Sequence, residues 1–285
     1  MGKLRTFLAA LALSLLASTT LSATAAADSP PRSGWNDWSC RPTAAHPEPV
    51  ILVHGLGGNS WDNFLTLAPA LRSAGYCVYS ETYGKTLLGG LAGGLAPMAD
   101  SAVEVGAFVD RVRAATGSAK VDIVGHSEGT TVPAYYIKYL GGAAKVDDFI
   151  GFGSNFRGTT LNGLTNLAAA LRLQDLLTGI GCGACTDYLP GSPFLTKLND
   201  GPVAVPGPTY TSIVTRYDRV VTPYTSGLLT GDNVTNIVLQ DKCRLDSAGH
   251  LGLAIDPNVT QLVLNRLDPR NAPPFRCLPF TTAGI

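Results

Sequence analysis

From residue 50 onward, short apolar runs alternate with longer stretches in which apolar side chains recur every three to four residues. "VILVHG" (Val50 to Gly55) is continuously apolar before its His-Gly end, the pattern of a parallel strand buried on both faces. A helical segment is predicted from about Asp62 to Ser73, then a strand in "CVYSETYG". The glycine-rich run "LLGGLAGGLAP" follows, and after it a helix from Met98 to Thr116. Its face is marked by Val103, Val105, Phe108, Val109 and Val112. "VDIVGH" reads as a strand leading into a helix that runs to about Leu140, and "VDDFIGFGS" as the next strand. A looser region from Thr159 to Pro208 separates these from the β-rich "YTSIVTRYD" and "VTNIVLQD", and a last helix spans about Pro257 to Leu267. Strand and helix in repeated alternation predict an α/β fold with a mostly parallel central sheet and helices on both faces. No internal repeat or long linker divides the chain, so residues 28–285 are read as one domain.

The N-terminus has a different pattern. Lys3 and Arg5 precede the apolar "FLAALALSLLAS", and small residues follow up to Ala25 and Ala27. This is the order of a secretory signal peptide, residues 1–27, cleaved after Ala27. The apolar run is short for a membrane span of roughly 20 residues, and no later segment qualifies, so no membrane anchor is expected. Loss of Lys3 and Arg5 leaves 19 basic against 21 acidic residues, a charge of about −2. Without a basic run there is no indication of nucleic-acid binding.

Export changes the reading of the six cysteines, an even number that implies disulfides among 15 possible pairings. Neighbours in sequence are favoured: Cys40 with Cys77, Cys182 with Cys185 and Cys243 with Cys277. The first and last would tie the chain ends to the body of the fold. "CGAC" also fits a redox pair or half a metal site. It has no strand before it and no histidine nearby, which favours a local structural bridge.

Candidate chemistry centres on "GHSEG". Gly125, Ser127 and Gly129 fit G-x-S-x-G, in which the serine sits on a sharp turn between strand and helix, where side chains at the glycines would collide. A nucleophilic serine needs a base, and the chain has four histidines. His46 lies in a proline-rich arm, the His126 side chain should point away from that of Ser127, and His54 ends the first strand. His250, on a loop before the last helix, is the expected base. The orienting acid should follow an intermediate strand. Asp218 after "SIVT" is favoured over Asp232, which looks like a turn residue, and over Asp241 and Asp246. The expected oxyanion donors are the backbone N–H groups of Glu128 and of Leu56 in "HGLGG", with His54 holding that loop. The glycine cluster lacks the lysine and hydroxyl residue of a phosphate loop.

Taken in order, "ILVHGLGG", "KVDIVGHSEG", "VTRYDRVVTP" and "AGHLGL" resemble the secreted bacterial triacylglycerol lipases of the class 2 type, including actinobacterial members. "GSPFLTKLNDG" and "GTTLNG" extend the likeness, which covers about Pro49 to Leu267. The resemblance implies an α/β-hydrolase fold, hydrolysis of acyl esters through an acyl-enzyme on Ser127, and no cofactor. No metal site is indicated. The expected partner is an acyl-ester or lipid substrate met at a lipid–water interface, and the protein is expected to be a secreted monomer. One departure is Glu128, where such lipases commonly carry a neutral residue; a carboxylate near the cleft would alter substrate preference. "LLGGLAGGLAP" and "LNGLTNLAAALRLQDLL" are candidate walls or covers of the acyl site, with an ordinary loop and a core-packing helix as alternatives. Two other functions fit the chain: a short-chain esterase or polyester hydrolase with an open site, and a non-catalytic binding protein on the same scaffold.

Overall fold

Six parallel strands form the central sheet in the order β2-β1-β3-β4-β5-β6 in a computed structural model that describes residues 35–86, 91–160, 179, 181–189 and 191–282. The expected signal peptide, the first part of the glycine-rich run and "LNGLTNLAAALRLQDLL" lie outside the described residues. The strands are β1 (Val50–Val53), β2 (Val78–Ser80), β3 (Val121–His126), β4 (Val146–Phe152), β5 (Thr209–Val214) and β6 (Val234–Val238). All six residues of β3 are buried, Asp122 and His126 included, as expected of a strand with both sheet faces covered.

The two faces carry two separate cores. Ile51 and Val53 point to one, with Ile123, Phe149 and side chains such as Val109 and Val132 from α2 (Met98–Thr116) and α3 (Glu128–Tyr139). Val50 and Leu52 point to the other, with Val124, Leu67 and Leu71 of α1 (Leu67–Ser73), and Leu262 and Val263 of the last helix, Pro257–Leu267. Alternate residues of one short strand thus serve opposite layers, which fixes its register.

The predicted elements are present with shifted boundaries. The segment expected as one helix over residues 62–73 is a 3₁₀ turn, Asp62–Phe64, followed by α1. Pro69 has no N–H to donate to the carbonyl four residues back and is best accommodated in a first turn, where α1 places it. Strand β2 stops at Ser80, whose backbone N–H and C=O are both taken by the Asn36 side chain.

The chain runs from β1 outward to β2, then returns to the other side of β1 for β3 and continues outward to β6. The strand order therefore reverses between β1 and β3, and a crevice opens beyond their C-terminal ends. "HGLGG" leaves β1 there, and "SEG" leaves β3.

Disulfides join Cys40 to Cys77, Cys182 to Cys185 and Cys243 to Cys277. The third holds the C-terminal segment against the loop that carries His250. Phe280–Thr281 pairs with Asp246–Ser247, Thr282 accepts the Gly249 N–H, and the Asn258 side chain binds both Leu278 backbone groups. The bridge spans 34 residues, so its removal should cost roughly 2–4 kcal/mol by loosening the unfolded chain's constraint. Replacing Cys243 and Cys277 together by serine is expected to lower the Tm by several degrees. An unchanged Tm by calorimetry would contradict this.

The N-cap of the last helix adds a pH dependence. Asp256 accepts the Asn258 N–H, and burial together with the neighbouring Asp246 carboxyl pushes its pKa up to about 7. A carboxyl raised in the folded state favours folding at low pH, and this contribution is lost as pH rises through about 7. Asp256→Asn keeps a cap but cannot ionise. Between pH 5 and 9 its Tm should fall less than that of the wild type, and parallel curves would refute the assignment.

Candidate active site

Ser127 stands between β3 and α3 with φ 55° and ψ −123°, a left-handed backbone that few non-glycine residues adopt. Its N–H donates to the Phe152 carbonyl at the end of β4, which fixes the turn to the sheet. The flanking glycines are required by contact. A Cβ on Gly125 would overlap the Gly129 carbonyl, and one on Gly129 would overlap the Val53 carbonyl. The helix can therefore start directly against the end of β1.

His250 reaches the serine from the loop after Asp246–Ser247. Its Nε2 lies 2.8 Å from Ser127 Oγ, and its Nδ1 lies 2.8 Å from Asp218 Oδ2. All three side chains are buried, so little water competes for these contacts. Asp218 sits in the turn after β5, where its other oxygen accepts the Val220 and Val221 N–H groups at 2.9 and 2.6 Å. Thr215 ties that turn to the His250 loop by donating to the Ala248 carbonyl. The rival aspartates lie elsewhere: Asp241 pairs with Arg216, Asp246 accepts from Asn258, and Asp232 is exposed.

The remaining histidines have other positions. His126 is buried beside His250, with Nε2 3.1 Å from the His250 carbonyl and Nδ1 3.1 Å from Asn63 Oδ1. Burial pushes it down to about 3, so a neutral ring has one proton to share between the two oxygens. His54 donates through Nδ1 to the Gly55 carbonyl and stacks on Tyr83, and burial lowers its pKa as well. His46 packs on Tyr76.

The loop after β1 is held from several sides. Asn63 Oδ1 accepts the Gly55 N–H at 2.7 Å, and Tyr83 donates to the His54 carbonyl at 2.8 Å. Gly57 donates to Gly93 and Gly58 to Gly55. In the stretch from Gly55 to Gly58, the Leu56 amide is the one with no acceptor among the described residues. The Glu128 amide opens α3, where no intrahelical carbonyl is available to it. A Cβ on Gly55 would come within 3.0 Å of Ser127 Cβ, so the loop passes directly over the serine.

The structure departs from the sequence reading at the Glu128 side chain. Its carboxyl does not face the cleft but lies wholly buried beside Tyr83, and burial raises its pKa well above the usual carboxylate range. Asn63, Tyr83 and the support from His126 were not foreseen. Asn63 falls inside a segment with helical periodicity, and nothing local marks it as a partner of Gly55.

A carboxylate cluster of Asp122, Asp147 and Asp148 lies at the opposite end of β3 and β4. Its groups have protein partners: Lys120 on Asp147, the Asp148 N–H on Asp122, and the Thr209 hydroxyl on Asp148. Two surface cavities of about 580 and 340 Å³ share Arg157 and Leu195, and neither is lined by Ser127, Asp218 or His250.

The fold and the family can be placed against known proteins. The lipase (class 2) family matches residues 47–263. Lipase B of Aspergillus fumigatus superposes with a TM-score of 0.62 at 19% identity, over 80% of this chain and 55% of that one. This chain thus spans about half the length of the fungal protein. The mature form of the Bacillus licheniformis lipase BlEst2 superposes with a TM-score of 0.59 at 17% identity, over 80% of this chain and 94% of that one. At such identities the structural likeness establishes the fold, an α/β-hydrolase sheet with its helices. The family match covers three quarters of the sequence, and by it this chain belongs to the class 2 lipases.

Proposed function

We propose that the protein is a secreted serine ester hydrolase, a triacylglycerol lipase or esterase, with Ser127, His250 and Asp218 as its catalytic residues. The observation that carries this reading is the unbroken chain of contacts from Ser127 Oγ through both nitrogens of His250 to Asp218. Ser127 Oγ attacks the ester carbonyl while His250 Nε2 takes its proton. Asp218 accepts a hydrogen bond from Nδ1–H, which holds the tautomer and stabilises the imidazolium. The negative oxygen of the tetrahedral intermediate accepts from the Leu56 and Glu128 amides, each contributing roughly 3 kcal/mol as in known oxyanion holes. The alcohol leaves with the proton from His250. A water that His250 deprotonates then releases the acid and restores Ser127.

The surroundings support an apolar substrate. Leu56, Trp61, Leu65, Leu251 and Ile255 are all exposed around the loops that carry the site. Such a rim suits a substrate presented at a lipid–water surface. Export is supported by the leader pattern at residues 1–27 and by the three disulfides. Among the described residues no helix is long and apolar enough to cross a membrane.

Hydrolysis of p-nitrophenyl esters from about two to sixteen carbons, and of emulsified triacylglycerol, tests the reading. Activity that peaks at eight or more carbons and extends to the emulsion is expected of a lipase. Activity confined to the shortest esters would make the protein a small-ester or polyester hydrolase. Ser127→Ala should abolish turnover and phosphonate labelling, and an unaffected rate would end the assignment. Asp218→Asn should lower kcat by about 10³–10⁴-fold, because the imidazole loses the partner that holds its tautomer.

A further inference from the structure

Glu128 offers the site more than a backbone amide. Its side chain turns inward to full burial, and Oε1 lies 3.2 Å from the Tyr83 hydroxyl. Oε2 has no hydrogen-bond partner among the described residues. Tyr83 has a single hydroxyl proton and donates it to the His54 carbonyl 2.8 Å away, a group that can only accept. Toward Glu128 the Tyr83 oxygen is therefore the acceptor, and the proton between them belongs to the carboxyl. The neighbouring groups agree with a neutral acid. Tyr83, Tyr188 and Asp187 face it without a positive charge, and burial disfavours the anion. His54, stacked on Tyr83, is itself held toward its neutral form by burial.

The carboxyl also lies beneath the loop that carries the other donor. A Cβ on Gly94 would sit 2.9 Å from Glu128 Oε1 and 3.3 Å from both the Gly55 carbonyl oxygen and Leu56 Cα. Only a residue without a side chain fits between the acid and the loop.

We propose that the Glu128 side chain, as a carboxylic acid, is a positioning residue for the oxyanion donors: through Tyr83 it fixes the His54 carbonyl and hence the Leu56 amide. The inference rests on the Ser127 reading given above. One residue then aligns both donors, the first by its own backbone and the second through its side chain. Ionisation would remove the proton from this relay. It would also place an unpaired negative charge behind the point where the oxyanion develops.

The test is kcat and KM from pH 6 to 10 on the p-nitrophenyl ester that the wild type hydrolyses fastest, with active sites counted by phosphonate and Tm recorded. The proteins compared are the wild type, Glu128→Ala, Glu128→Gln, Tyr83→Phe and the double variant Glu128→Ala/Tyr83→Phe. Alanine and phenylalanine should each lower kcat about tenfold with KM within about twofold, a smaller loss than removal of a donor. The double variant should be no worse than the poorer single one, as for two members of one relay. Glutamine donates to Tyr83 but cannot ionise. It should restore kcat to within about threefold and remove the wild type's alkaline decline. A kcat for Glu128→Ala within about twofold of wild type, or the same alkaline limb for wild type and Glu128→Gln, would overturn the proposal. If alanine does not fold, the glutamine and phenylalanine variants carry the test. Phosphonate labelling away from Ser127 would sink the parent reading, whereas normal labelling with an unchanged alanine variant would sink this inference alone.

Discussion

The architecture of the site depends on one close approach, that of the start of α3 against the end of β1. Gly129 passes so near the Val53 carbonyl that no side chain fits, and Gly125 faces the Gly129 carbonyl with the same lack of room. Only at this distance can Ser127 hold its left-handed backbone with its N–H on Phe152. The contact also brings the first amide of α3 and the loop after β1 to the same side of the serine. A strained residue persists only where its surroundings over-determine it. Here the sheet, the helix and two glycines do so.

Beside Ser127, His250 and Asp218, the site is surrounded by side chains held toward their neutral forms. His54 and His126 are held toward the neutral form by burial, and Glu128 is a buried acid above its usual range. Asp218 touches His250, and its second oxygen is satisfied by two backbone amides. In a buried site, charges act over longer distances than in water. On the proposed mechanism, a neutral surround leaves the charges formed during ester attack, on the imidazole and on the oxyanion, to interact mainly with the groups placed for them. The proton inferred for Glu128 belongs to this pattern: a carboxylate there would add a buried negative charge on the residue whose amide opens α3.

The sequence was most informative where one residue type suffices for one physical demand. The glycines of "GHSEG" mark a backbone approach, the unbroken apolar runs mark strands buried on two faces, and the last histidine is left by elimination among four. It was least informative where a role depends on three-dimensional neighbours. Asn63 and Tyr83 carry no local mark, since each acquires its partner only when β1, its loop and α3 meet. Glu128 shows the limit from the other side. Its position next to Ser127 was visible, but not the inward direction of its side chain. Periodicity runs unbroken through residues 62–73, but Pro69 has no N–H for the Leu65 carbonyl, and the structure divides the segment into a 3₁₀ turn and α1.

Ser127 and His250 are anchored in different ways. The serine is tied to the sheet interior through β3, β4 and the packing of α3. His250 sits on a loop outside the sheet, and its position depends on Thr215, the His126 ring, the C-terminal segment and the Cys243–Cys277 bridge. Asp246 and Asp256 flank the same loop with their carboxyls facing each other. Local opening begins where fewest buried contacts must break at once. By that argument the geometry between Ser127 and His250 is lost from the histidine side first, while the turn at Ser127 still stands. The bridge and the terminal strand pair lie where a loop without a sheet partner needs them.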